Sequence, residues 1–371
     1  MKKLEYALLA LGVAFLLGLL TLSGELAAAQ PQVLLETTPV SSKVIPSQTP
    51  IKLRLVAKDE QGQPLQANAQ LSLQAPKPTP WLTSDFPWVE GTTLLKLAAP
   101  LENGEMVWSQ IMPIRGQYTL TANFTPTQAG AFVPFQQQLT VGIPENPVKY
   151  RNALVLVAIL LATGGAGGWV IGRGAASQTT SQSHSVQQLL LWSVVLTATA
   201  LLVLNISAEM ASSHSDPMHH ALDLPAQEEN FALTAALEGD QFAFVGQPTR
   251  QSITVNGSSQ QLPSDLRVTV KVVDLASEKS VFTYSGLLKD PAFAWDWQFY
   301  DAAPHQVRAR LTSASATDFK PLQLGHTVEV QGKEPPLTTR FITLGYWLLI
   351  FIAAMLAGYR WAIRSLTKPA P

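Results

Sequence analysis

The sequence contains no cysteine. That absence removes disulfides, thiolate nucleophiles, Cys-ligated zinc, iron–sulfur clusters and covalent haem attachment together, so any metal must be held by His, Met or carboxylates. Charge is scarce too. Only 14% of residues are Asp, Glu, Lys or Arg and the net charge is −1, which leaves no field to attract nucleic acid or acidic lipid. Catalytic signatures are missing: there is no G-x-S-x-G elbow, no H-E-x-x-H and no P-loop, and the one S-x-x-K, Ser365 to Lys368, sits in a short C-terminal tail. These gaps point away from an enzyme.

What the chain has in abundance is long apolar runs. Residues 153–172 and 189–206 carry no charged side chain, and each has the length of about 18–20 residues that a helix needs to cross a bilayer. The Ser/Gln/Thr-rich loop 173–188 between them is too short to fold and reads as a connector, so the two runs form a transmembrane hairpin. A third run, 341–359, has Tyr346 and Trp347 near one end and Tyr359 and Trp361 at the other, with Arg360, Arg364 and Lys368 beyond. Aromatics at headgroup level followed by basic residues place the tail 360–371 in the cytoplasm. The N-terminus, 1–29, has Lys2 and Lys3, an apolar core and small residues at Ala27 and Ala29, the layout of a signal peptide that is either cleaved or kept as an anchor. Working back along the chain, loop 173–188 is inside and both large soluble segments are outside, which makes this a multi-pass protein of the bacterial cytoplasmic (inner) membrane. Lys149, Arg151 and Arg340 fall on the outer face against the trend.

Residues 30–150 and 227–340 change character to short alternating runs bounded by Pro, Gly, Asn and Asp. In the first, Tyr118, Leu120, Ala122 and Phe124 share one face, as do Leu53 and Leu55; in the second, LRVTVKVV, VFTYS, FAWDWQF, QVRARL and HTVEVQ behave alike. Period-two alternation with frequent turn formers predicts two extracytoplasmic β-sandwiches of immunoglobulin-like type, each followed by a membrane helix. The expected fold class is therefore all-β ectodomains plus transmembrane α-helices.

The repeated order suggests duplication. One ungapped match lays Leu65, Leu71 and Leu73 on Leu262, Val268 and Val270, and another lays Trp108, Leu120 and Phe124 on Trp295, Val307 and Leu311. A turn Gly62-Gln63-Pro64-Leu65 before an alternating strand, and a later strand start Gly116-Gln117-Tyr118-Thr119, resemble the YtkA-like and FixH-like membrane-anchored extracytoplasmic modules. The resemblance implies a part in metal handling or in assembly of membrane complexes. It covers about half of each sandwich, and the duplicated arrangement departs from a single anchored domain.

Three groups of residues are functional candidates. Gly164, Gly168 and Gly172 stand four apart in an apolar run, a spacing that lets another helix approach closely, either a second copy in a homo-oligomer or the chain's own membrane helices. Phe293, Trp295, Trp297 and Phe299 alternate onto one face of a strand, as core rings or as a partner-binding stripe. Met210, His214, Met218, His219 and His220 gather with Asp216 in the linker 207–226. Imidazole with thioether suits copper, and imidazole alone would accept zinc or nickel, so copper is the cofactor expected if metal is bound at all. His305 and His326 read as solvated residues at a turn and at a strand start. The leading expectation is a non-enzymatic scaffold or assembly factor for a membrane or envelope complex, with a metal-binding accessory protein as the alternative.

Overall fold

The computed structural model describes residues 31–79, 84–176, 224–230, 233–256, 263, 265–313, 315, 319–333 and 337–366. The N-terminal segment, most of loop 173–188, the run 189–206 and the His/Met linker up to residue 223 lie outside these.

The first half contains β1 (Gln32–Thr38), β2 (Pro50–Lys58), β3 (Ala67–Gln74), β4 (Thr93–Pro100), β5 (Glu105–Ile111), β6 (Gly116–Pro126) and β7 (Phe135–Ile143), then helix α1 (Pro147–Ala176). The second contains β8 (Gln227–Asn230), β9 (Leu233–Gly239), β10 (Phe242–Phe244), β11 (Pro248–Asn256), β12 (Arg267–Asp274), β13 (Lys279–Leu287), β14 (Ala292–Gln298), β15 (His305–Thr312) and β16 (Leu322–Gln331), then α2 (Leu337–Leu366). Alternation explains the strands directly. In β2, Ile51, Leu53, Leu55 and Ala57 are fully buried while Lys52 and Arg54 face solvent, so one strand serves both core and surface. In the first half β1-β2-β5 packs over β4-β3-β6-β7, and in the second β9-β11-β14 packs over β13-β12-β15-β16, with β8 and β10 added at the edges. Three strands facing four in this order is an immunoglobulin-like sandwich.

The sandwiches are not separate bodies. β5 pairs with β13, setting Trp108 opposite Tyr284 and Ser109 opposite Thr283, while β4 pairs with β14, setting Leu97 opposite Trp295 and Lys96 opposite Asp296. Both sheets thus run through both halves as eight-stranded sheets over one continuous core. β4 occupies in the first half the place of β13 in the second, and β5 that of β14, so the junction is one pairing made twice.

The ladders also fix how the halves correspond. Trp108 and Trp295, Leu120 and Val307, and Phe124 and Leu311 lie at equivalent positions of equivalent strands. The other sequence match is shifted by one pleat. Leu71 stands between Leu97 and Ala122, and the residue between their equivalents Tyr284 and Ala309 is Val270, not Val268. A slip of two residues keeps every side chain on its face, so a period-two pattern cannot register it. The halves differ most where residues 75–92 join β3 to β4 but only 275–278 join β12 to β13.

Among the described residues two helices are long and apolar enough to cross a membrane, Pro147–Gly174 and Phe341–Ser365, with mean hydropathy 2.2 and 2.1. Only 22% and 11% of those windows are buried within the protein, so neither is the core helix of a soluble domain. α1 and α2 pack side by side, and their contacts advance together: Gly164 meets Phe351 and Ala354, Gly168 meets Met355 and Tyr359, and Gly172 meets Tyr359 and Ala362. The pair is therefore parallel.

Candidate functional site

The region where sandwich meets helix is built without slack. β7 ends at Ile143 and α1 begins at Pro147. The buried Asn146 caps α1, its Oδ1 accepting from the N–H of Val148 at 3.0 Å, and Pro147 takes the first helical position, where a missing N–H costs nothing. Glu145 pairs with Arg115 from the turn before β6 and lies 3.7 Å from Lys149, which also pairs with Asp85 in the 75–92 segment. This collar fixes the exit direction of α1 from two sides.

Below the collar the three glycines face α2. A Cβ on Gly164 would sit 2.7 Å from the Phe351 carbonyl, and one on Gly172 2.7 Å from the Ala354-like small side chain of Ala362; Gly168 is tighter still against the Met355 carbonyl. The facing helix supplies its own small residues, Ala354, Gly358 and Ala362, with Gly358 against the backbone of Gly165. Small residues four apart on both partners let the backbones touch, and dispersion replaces the missing hydrophobic force in lipid. The glycine face is thus covered by α2 of the same chain. The complementary spacing in α2 was legible in the sequence and is the signal that names the partner.

Trp295 and Trp297 are 1% and 2% exposed. They are core residues at the junction of the halves, which corrects the reading of a partner-binding stripe: the face they share with Phe293 points into the core. Trp297 packs on Phe282 with centroids 4.9 Å apart, and Phe293 stacks on Tyr284 at 5.3 Å. Polar bonds cross the same junction. Arg267 Nη2 reaches Glu102 Oε2 at 2.5 Å, Leu287 N–H donates to Glu102 Oε1 at 2.8 Å, and Gln298 donates to Thr92 Oγ1 at 2.9 Å. The 75–92 segment closes over it, with the Trp88 indole donating to the Tyr300 carbonyl at 3.3 Å and Phe86 edge-on to Tyr300. Neither Glu102 nor this segment stands out in the sequence, because their roles depend on the other half.

His305 and His326 also need correction. His305 opens β15 and is 2% exposed, its ring 4.8 Å from Phe299. Its Nδ1 lies 2.7 Å from the Ala303 carbonyl, which can only accept, so Nδ1 carries the proton. Burial pushes the His305 pKa down, against the pull of Asp274 and Asp301. Burial, then the charge of Asp274, pushes Asp301 up. His326 lies within β16 rather than at its start, and burial lowers its pKa as well. Both rings occupy positions that Tyr118 and Leu139 fill in the first half, which accounts for their burial.

Met210, His214, Met218, His219 and His220 lie outside the described residues. Among the described residues no group of three or more His, Asp and Glu is placed to hold a metal ion.

No protein-family model matches the chain, and no curated protein matches it. Solved structures similar to parts of it include a conjugative transposon lipoprotein from Bacteroides eggerthii, at 7% identity over 27% of this chain and 98% of that one, with a TM-score of 0.21. A CARDB domain from Pyrococcus furiosus, in complex with di-metal ions, matches at 11% identity over 30% of this chain and 99% of its own, TM-score 0.21. A cohesin module of a Clostridium perfringens family 33 glycoside hydrolase matches at 7% identity over 28% and 98%, TM-score 0.21. The fold assignment above rests on strand order and not on these likenesses.

Proposed function

We propose that this chain is a non-enzymatic, multi-pass protein of a bacterial cytoplasmic membrane that holds a paired-sandwich platform at the outer surface for assembly of a membrane or envelope complex. One observation carries the reading: two sandwiches share both sheets and pass into α1 through a capped, ion-paired collar with no flexible linker. A hinge would suit capture at variable distance, whereas a fixed mount suits presentation of one surface at one height. The YtkA-like and FixH-like resemblance at Gly62–Leu65 and Gly116–Thr119 supports assembly duty. Gly62 and Gly116 both have positive φ, so the two turns that carry it demand glycine.

Photo-crosslinking in intact cells tests this. A photoreactive residue placed at Leu34, Val133 or Phe242, which are 58%, 84% and 69% exposed on the sandwiches, should yield a discrete adduct with another membrane or envelope protein from at least one site. A chain that forms no adduct from any of the three is not a scaffold of this kind.

A further inference from the structure

The short edge strand β10 turns two large rings outward. Phe242 and Phe244 are 69% and 50% exposed on its outer face, while Ala243 between them is buried against the core. Their neighbours across the ladder, Glu329 and Gln331 of β16, are polar and exposed, so the rings form an apolar step on a polar face. We propose that β10 rests on the outer leaflet of the membrane, with Phe244 set among the lipid headgroups and Phe242 one pleat above it. The proposal rests on the membrane reading above and goes beyond it by giving the second sandwich its own contact with lipid.

Two independent paths place Phe244 at the foot of the sandwiches. β10 runs parallel to β16, and both descend toward α2: Phe244 lies beside Gln331, from which the chain to Leu337 spans at most about 20 Å. Leu337 and Pro147 are level, because each stands about 25 Å of helix before the contact of Gly164 with Ala354. The second path runs through the turn after β10. Gly246 donates its N–H to the Phe299 carbonyl at 3.0 Å and lies so close to Trp88 that a Cβ there would meet the Trp88 carbonyl at 2.8 Å. Trp88 packs edge-on to Phe86 in the 75–92 segment, and Asp85 of that segment pairs with Lys149 in the first turn of α1. Collar, segment and the tip of β10 therefore form one layer, just above the point where α1 becomes free of charge at residue 153.

The chemistry of this layer selects lipid as the partner. Tyr150 is 68% exposed and Arg151 is exposed beside it in the first turns of α1, an aromatic and a cation of the kinds that settle among lipid carbonyls and phosphates. Arg151, basic on the outer face against the trend, meets phosphate at this depth. An exposed pair of Phe rings in water forgoes stabilisation in proportion to its apolar area, and the headgroup region recovers part of it without a dedicated protein pocket.

A cysteine-free chain makes the test clean. Phe244→Cys, Phe242→Cys, Leu154→Cys and Val133→Cys, each in the full-length chain, are labelled with an NBD fluorophore and reconstituted into vesicles of phosphatidylethanolamine and phosphatidylglycerol doped with lipid spin-labelled on the headgroup. Leu154 lies on the exposed face of α1 and Val133 in the β6–β7 connection remote from it, so the two mark lipid and water. The label at 244 should be quenched severalfold more strongly than that at 133, with 242 between them. Should Phe244→Cys fail to fold, position 242 against 133 decides alone. Quenching no greater than at 133 while 154 is quenched overturns the proposal and leaves the membrane reading standing, as does a blue-shifted but unquenched label at 244, which would mean that protein covers the site. No quenching at 154 overturns the membrane reading itself.

Discussion

A buried ring gains from area and loses from any polar atom it fails to pair. Trp108, Trp295 and Trp297 each bury an indole whose N–H has no partner among the described residues; a Trp buries about 150–250 Å², which outweighs an unpaired donor costing about 1–3 kcal/mol. His305 sits under the same constraint with a proton in play. Its neutral ring is held by Ala303 and Phe299, with Asp274, Asp301 and Tyr300 nearby. The depressed pKa sets the sign of the pH dependence. Above the ordinary value near 6.5 neither state binds the proton and the stability is fully present. As pH falls below that value the unfolded chain takes a proton that the folded ring refuses, and stability drops until the folded pKa is reached, by up to about 1.4 kcal/mol per pH unit. His326 adds in the same direction. Asp301, raised by burial, acts oppositely at lower pH, because protonation relieves its buried charge in the folded state. Unfolding of the detergent-solubilised chain at pH 7.5 and 5.5 should therefore show an acid loss that shrinks in His305→Phe. An equal loss in the variant would mean that the ring takes up protons freely.

Helices and strands differ in how much of their pairing the sequence reveals. Alternation exposed β2 and β6 in the first half and β12 to β16 in the second, since half-buried β structure writes its two faces into the chain at period two. The same period hid the register of β3 against β12 and gave no sign that β5 would meet β13, because edge pairing is made by backbone groups common to all residues. His305 and His326 were misread for a related reason: a histidine in an alternating strand declares neither its face nor its neighbours. The glycine helix was more explicit, as Gly164, Gly168 and Gly172 required a small-residue partner and Ala354, Gly358 and Ala362 supply one. Gly168→Leu would drive a side chain into the Met355 backbone and should abolish the α1/α2 contact. Leu154→Ala, on a face 71% exposed, should leave it intact. Folded yield after detergent extraction measures both, and equal yields would remove the glycine face from the account.

At the scale of the whole molecule, the organising feature is that two like halves form one body. Each half presents an edge that would otherwise be an open template for aggregation, and the halves close those edges on each other through β5·β13 and β4·β14. Among the described residues only the outer strands β1, β10, β7 and β8 remain as sheet ends. With α1 and α2 parallel beneath, the joined sandwiches have a two-legged mount. The junction itself is the most direct thing to measure. Ser109 and Thr283 face each other across it and are half-buried, and directly opposed antiparallel residues have Cα atoms about 4.5–5.5 Å apart, within disulfide range. In this cysteine-free chain, Ser109→Cys with Thr283→Cys should form an intramolecular disulfide on mild oxidation of the folded protein, and the pair should raise its thermal midpoint. A folded, membrane-inserted double variant whose thiols stay free would show that the two sandwiches are not joined as one.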